Sequence, residues 1–330
     1  MTTARRLNLT AALCVVALAD LVLHRLVERL FLSQHPTGLG RLAAESGRFA
    51  FHLGGVLGLA VVAATLYDGL RRTDLFPRSM RFVVGSVGLF FVVTSAAVVL
   101  TLDITERYMD FMIQLIKTSH AFLAVFIALA LWHTPGSVRA RAGVTLFALP
   151  SMLHAVALFC NRVGWGRLFP SELARTAEIC ALAAGALSPL LLTPDVRSGK
   201  RGLAGAVVGV ATLGGLLAAL LNRFGLMQML ALYGFRLDLP QLATPGAITY
   251  VAMVIASFVG LAVSIVWTLS ERAGARLVGY GLVLLICAGY QTVAPNQILF
   301  ATCGLLALAQ GTLHPAKDPA PLVSAAAAGL

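Results

Sequence analysis

Ionisable side chains recur inside the apolar segments of the N-terminal part of this 330-residue chain. Such groups are costly in hydrocarbon, so in apolar segments they commonly line ion or substrate pathways or pair with one another. The candidates are histidines, carboxylates and one lysine: Asp20, His24, Glu28, His52, Asp110, Lys117, His120, His154 and Glu178. Their chemistry suits the binding of a small polar solute or ion and the transfer of protons.

Three of these residues form a stripe on the first apolar segment. Asp20, His24 and Glu28 follow one another at intervals of four residues, which places them along one face of an α-helix. A polar stripe of this kind normally faces protein or water rather than lipid. We therefore expect the first helix to turn this face toward other helices or an aqueous cavity.

The composition indicates the class of protein. Hydrophobic residues make up 58% of the chain and charged residues 12%, with a mean hydropathy of +0.86. A water-facing surface needs about twice that share of charge, so we predict an all-α polytopic bundle in the lipid bilayer of a bacterial-type inner membrane. The net charge of +11 does not indicate a nucleic-acid partner, because the basic residues are scattered between apolar segments.

Segments of about 17 to 25 apolar residues predict about ten transmembrane helices. They lie at about 7–27, 49–67, 82–102, 111–132, 143–160, 176–192, 203–221, 247–269, 277–293 and 298–313. Lys and Arg are more frequent in the N-terminal segment and every second loop after it, which by the positive-inside rule places both termini in the cytoplasm. Arg5, Arg6, Ala17 and Ala19 also imitate a signal peptide, whose cleavage would leave nine spans. We expect the segment to be retained.

This topology divides the chain into four parts. Residues 1–6 are a cytoplasmic N-terminus, and 7–193 are a six-helix membrane unit that carries the ionisable groups. Residues 194–313 are a four-helix scaffold, whose outer loop 222–246 is half apolar and suits the membrane surface. Residues 314–330, rich in Ala and Pro, are predicted to be a flexible cytoplasmic tail.

The depth of the histidines is the most specific signal in the sequence. His24, His52, His120 and His154 fall in the outer half of the membrane on four different predicted helices. The inner half and the last four helices carry few comparable groups. We predict from this asymmetry a polar site that opens outward.

Three kinds of chemistry fit such a site. Titratable groups at mid-depth can bind and translocate a small solute or ion, as in a secondary transporter. Neutral imidazoles on different helices can instead ligate a metal or haem b; the candidate ligands are His52, His120 and His154, and Gly54 and Gly55 leave room for a macrocycle. A membrane-embedded transferase would use a histidine or carboxylate as general base near the outer leaflet.

A structural interpretation of the same residues stays open. Intramembrane histidines often hydrogen-bond between helices, and Lys117 can form an ion pair with Asp110 or Glu178. The polar residues can also bind a partner membrane subunit. The cysteines form no Cys-x-x-Cys pair and are interpreted as small apolar residues: Cys14, Cys160, Cys180, Cys287 and Cys303.

The layout of the first hundred residues resembles membrane acyltransferases that modify periplasmic glycans. The resemblance rests on a first helix ending in His24, an aromatic and glycine-bearing second helix at 49–58, and an Arg-rich inner loop. It implies acyl transfer at the outer leaflet. The Leu-Asp-x-Leu-Arg-Gly signature of that family is replaced by residues 7–13, Leu-Asn-Leu-Thr-Ala-Ala-Leu, so its arginine has no counterpart and membership is not assigned.

The predicted topology can be tested by cysteine labelling. Cysteines at Ser46 and Asn296 should react with a membrane-impermeant thiol reagent added outside cells, because both positions are predicted to face outward. Cysteines at Ser79 and Ser198 should not react until the cells are permeabilised. The reverse pattern would overturn the orientation.

Overall fold

The computed structural model describes residues 3–21, 38–71, 75–100, 106–133, 137–162, 245–290 and 294–313, with the isolated positions 180, 184, 187, 191 and 192. Within these ranges the regular secondary structure is entirely helical, with no strand. The helices are α1 (Thr3–Ala19), α2 (Gly38–Arg71), α3 (Arg78–Leu100), α4 (Glu106–His133), α5 (Val138–Arg162), α6 (Pro245–Thr268), α7 (Ala273–Tyr290) and α8 (Ala294–Leu313). The all-α prediction is confirmed for this part of the chain.

In the part of the chain that the structure describes, three helical segments are long and apolar enough to cross a membrane, namely Glu45–Arg71, Arg78–Leu100 and Tyr108–His133. Shorter apolar helices lie at Arg6–Ala19, Val259–Thr268 and Ala273–Gly289. These helices are compatible with a membrane protein. The predicted span at 203–221, all but five positions of the span at 176–192, the tail and most of the outer loop lie outside the described residues. The ten-helix bundle, its division into parts and its orientation therefore stay predictions.

Prolines mark several helix starts. The carbonyl of Pro77, just before α3, accepts a hydrogen bond of 2.9 Å from the backbone N–H of Met80. Pro245 is the first residue of α6 and Pro295 the second residue of α8. In a first turn the backbone N–H groups have no acceptor within the helix, so proline is tolerated there.

The helices α7 and α8 form a closely packed antiparallel pair at the centre of the described structure. Every residue of 277–288 in α7 and of 302–311 in α8 is buried. A Cβ built on Gly281 would lie 2.8 Å from the carbonyl oxygen of Gly304, and one built on Gly304 would lie 2.8 Å from that of Gly281. The glycines thus let the two backbones touch, as in close helix packing within membranes.

The helix α8 also packs against α2, α4 and α5. On α2, a Cβ at Gly54 would lie 3.0 Å from the ring of Phe300, and one at Gly55 would lie 3.1 Å from Oδ1 of Asn296. Nδ2 of Asn296 donates to the carbonyl of Phe51 at 2.7 Å. Asn296 is only 2% exposed, so the expectation that it faces the outer solution is wrong, and Ser46 is the better labelling position on that side.

The relative directions of the helices place several arginines at the same end of the bundle. Helix α7 runs parallel to α1, since the Cys14 thiol donates to the carbonyl of Tyr280 at 3.6 Å and Asp20, further along α1, interacts electrostatically with Cys287. The end where α1, α3 and α7 begin and α2 finishes therefore carries Arg6, Arg71, Arg78, Arg81, Arg272 and Arg276. This is the end that the sequence predicts to be cytoplasmic.

Adding a methyl group at Gly281 should destabilise the α7–α8 pair. In Gly281→Ala the new Cβ would lie 2.8 Å from Cγ of Leu308 and 2.9 Å from its backbone nitrogen. We expect a loss of about 1–3 kcal/mol, the usual result of overpacking, measured by unfolding in detergent micelles. The control is Gly289→Ala in the same helix, where no atom lies within 4 Å of the built Cβ. Equal stability of the two variants would contradict the close packing.

Candidate functional site

The candidate site is centred on His120 of α4, whose side chain is 6% exposed. Its Nδ1 lies 2.8 Å from Oγ1 of Thr302 in α8, and its Nε2 lies 2.7 Å from Oγ of Ser151 in α5. One imidazole thus connects three helices by hydrogen bonds between side chains. Both bonds have the length expected of strong, well-placed hydrogen bonds.

The spacing of apolar residues on α4 positions this histidine. Ile116, Leu123 and Ile127 are each 1% exposed, and they precede or follow His120 by four, three and seven residues. At those spacings they share its helix face. The preceding Ser119 hydroxyl donates to backbone carbonyls of its own helix, at Leu115 and Ile116. The imidazole of His120 is therefore buried between helices because its neighbours on the same face of α4 are apolar.

The hydrogen-bond network assigns the proton positions of His120. The Thr302 hydroxyl has one hydrogen, which it donates to the carbonyl of Ile298 at 2.8 Å, so its oxygen accepts from His120. Nδ1 must then carry the hydrogen of that bond. Nε2 is the acceptor in the neutral ring, and the Ser151 hydroxyl donates to it.

This arrangement accommodates either protonation state of the ring. A serine hydroxyl both donates and accepts and can rotate. If Nε2 takes a proton, it becomes a donor and Ser151 can turn its oxygen lone pair toward it. His120 can therefore change its charge while both of its nitrogens keep their partners, which is what a proton-carrying group requires.

Asp20 is a second buried ionisable residue. It directly follows α1 and its residue surface is 0% exposed. It interacts electrostatically with Cys287 of α7 and has a further interaction partner. Asp20 thus interacts with α7, whereas the two ring nitrogens of His120 bond to α5 and α8.

The structure places the other predicted site residues in different surroundings. His52 is exposed on α2, and its ring meets that of Phe51 edge to face with centroids 5.3 Å apart. Asp110 is exposed and Lys117 half-buried on α4, and among the described residues they form no ion pair. His154 follows Ser151 on α5 by three residues. His24, Glu28 and Glu178 lie outside the described residues.

The described contacts give no support to haem or metal binding. The space beside Gly54 and Gly55 is filled by Phe300 and Asn296, and both nitrogens of His120 are engaged by hydroxyls. Among the described residues, no three His, Cys, Asp or Glu side chains lie close enough to hold a metal ion. The ligand set of His52, His120 and His154 remains an untested prediction.

Comparison with protein-family models, with curated proteins and with solved structures finds no match to this chain. A functional hypothesis must therefore be argued from the described contacts, and we base it on the hydrogen bonds of His120.

Sequence reasoning missed the partners of His120. Ser151 and Thr302 are neutral hydroxyl residues within apolar segments, and Thr302 is separated from His120 by 182 positions. A possible signal was their occurrence in predicted helices at a depth similar to that of the histidine, since such hydroxyls commonly hydrogen-bond across helices.

Removing either hydroxyl should weaken the packing around His120. We expect Thr302→Val and Ser151→Ala each to lose about 0.6–1.7 kcal/mol of stability, the range found for hydrogen bonds between membrane helices. Unfolding in detergent micelles measures the change.

The matched control is Thr94→Val in α3. Thr94 is also buried, but its hydroxyl donates to carbonyls of its own helix, at Phe90 and Phe91. A loss of stability in Thr94→Val as large as that in Thr302→Val would show that the bond to His120 contributes nothing.

Proposed function

We propose that this chain is a multi-pass membrane protein of a bacterial-type inner membrane that binds and translocates a small solute or ion. In this proposal His120 takes up and releases the coupled proton. The observation that carries it is the hydrogen-bond arrangement of His120, which is buried and keeps both partners in either protonation state. Ionisable groups buried among membrane helices are costly and are characteristic of proton relays.

A route from protonation to helix movement supports the proposal. In the neutral state Ser151 donates to His120; after protonation it accepts, and its own hydrogen needs a new acceptor. Ser151 directly follows Pro150 inside α5. Proline has no N–H to donate to the carbonyl four residues earlier, so a helix can bend at this point. A change at His120 therefore acts on α5 where that helix is weakest.

The transport proposal is tested with the full chain reconstituted in liposomes on a solid support. Pools of amino acids, sugars, organic acids and inorganic ions are applied, and the transported charge is measured against pH. We expect a pH-dependent current with at least one pool, lost in His120→Gln and retained in His52→Gln, because His52 is exposed on α2. No current with any pool, or full activity of His120→Gln, would contradict the proposal.

One distance favours acyl transfer as a second candidate function. Oγ of Ser151 lies 2.7 Å from Nε2 of His120, and Thr302 holds the opposite ring nitrogen. A hydroxyl, a base and a group that orients the base are the parts of nucleophilic catalysis. Ser151 would attack an acyl carbonyl while its proton passes to Nε2. The leaving group would take that proton, and the acyl group would pass from Ser151 to an acceptor hydroxyl.

A fluorophosphonate probe separates the two functions. It forms a stable adduct with an activated serine, which mass spectrometry of the intact protein and its peptides can locate. An adduct on Ser151 that is lost in His120→Gln would support acyl transfer. Absence of the adduct, together with a transport current of the unsubstituted protein, would exclude it.

A further inference from the structure

We infer that the arginine-rich end of the bundle contains a binding site for the phosphate group of an anionic phospholipid, between the start of α1 and the end of α2. A cleft of about 410 Å³ opens there, lined by Arg6, Ala63, Ala64, Tyr67 and Asp68. The inference does not depend on the proposed transport, because its premises are the cleft and the arginines beside it, not His120.

The first argument is the state of Arg6. Its residue surface is only 8% exposed, and its Nη1 is paired with Oδ2 of Asp68. Its Nε is buried and has no hydrogen-bond partner among the described residues. Guanidinium groups bind planar oxyanions through two parallel donors. Arg6 thus lines the cleft with a guanidinium group that the described residues satisfy only in part.

The second argument is the chemistry of the cleft wall. Tyr67 lines the cleft; Nη1 of Arg71, one turn further along α2, donates to the Tyr67 hydroxyl at 2.7 Å, and the guanidinium carbon lies 5.1 Å from the ring centroid. This interaction holds the exposed Arg71 beside the cleft. Ala63 and Ala64 form the part nearer the membrane centre. A polar entrance and a small apolar floor fit a headgroup with the first part of its acyl chains.

The third argument is the charge of this end of the molecule. Arg78 and Arg81 at the start of α3 and Arg272 and Arg276 at the start of α7 lie at the same end as the cleft. Basic pockets between membrane helices on the cytoplasmic side are typical sites for anionic headgroups. The negative charge of Asp68 opposes the binding of an anion. Removing that charge should therefore strengthen lipid binding, whereas removing an arginine should weaken it.

Binding is measured by the thermal unfolding midpoint of delipidated protein in detergent, titrated with phosphatidylglycerol, phosphatidylcholine or inorganic phosphate. We expect phosphatidylglycerol to raise the midpoint most. Arg6→Gln and Arg71→Gln should each weaken its apparent affinity about fivefold, as expected for one arginine near an anionic lipid. Asp68→Asn should strengthen it, because Arg6 is then free to pair with the phosphate. Arg71 is exposed, so Arg71→Gln keeps the test valid if Arg6→Gln does not fold.

The control is Arg48→Gln, an exposed arginine on the same helix at the opposite end; its affinity should be unchanged. Equal shifts with phosphatidylcholine, an equal loss in Arg48→Gln, or weaker lipid binding in Asp68→Asn would overturn the site. A shift of the same size with inorganic phosphate at equal concentration would overturn the assignment to a lipid.

Discussion

The close approach of α7 and α8 is the constraint on which the rest of the described structure depends. Lipid tails are as apolar as leucine, so helices in a membrane gain little from burying apolar side chains against each other and rely on packing and polar contacts. Gly281 and Gly304 bring the two backbones into contact. The pair then acts as one unit, and the remaining faces of α8 are available to α2, α4 and α5. This central position of α8 explains its buried polar residues, because Asn296 and Thr302 each form a hydrogen bond to a polar group of another helix.

Helix positions could be predicted from the sequence because hydropathy is a local property. The predicted span 82–102 corresponds to α3, and 111–132 falls within α4. Helix ends were less accurate, as in α2, which begins at Gly38 rather than near Phe49. The polar and glycine-containing stretch 38–48 is not apolar enough to be counted by hydropathy, although its backbone is helical.

The site was only partly predictable. The cost of burying a titratable group makes Asp20, Lys117, His120 and His154 the deeper candidates from sequence alone; of these, Asp20 and His120 are buried and Lys117 is half-buried. The same reasoning grouped them with His52, which is exposed, because membrane depth does not reveal which way a helix face is turned. Gly54 and Gly55 were interpreted as space for a macrocycle, but glycine on a membrane helix equally leaves space for another helix. The structure fills that space with α8.

Side-chain contacts before Pro150 join the first half of α5 to α4. Before Pro150, Nε1 of Trp132 donates to Oγ1 of Thr145 at 3.0 Å, and the guanidinium of Arg141 lies 5.8 Å from the Trp132 ring. These contacts anchor the first half of α5 to α4. Ser151 follows Pro150, and its hydroxyl bonds to the titratable His120. In the proposed function, a change of charge at His120 would therefore act on α5 next to Pro150, where proline lacks the N–H that a helix interior normally donates.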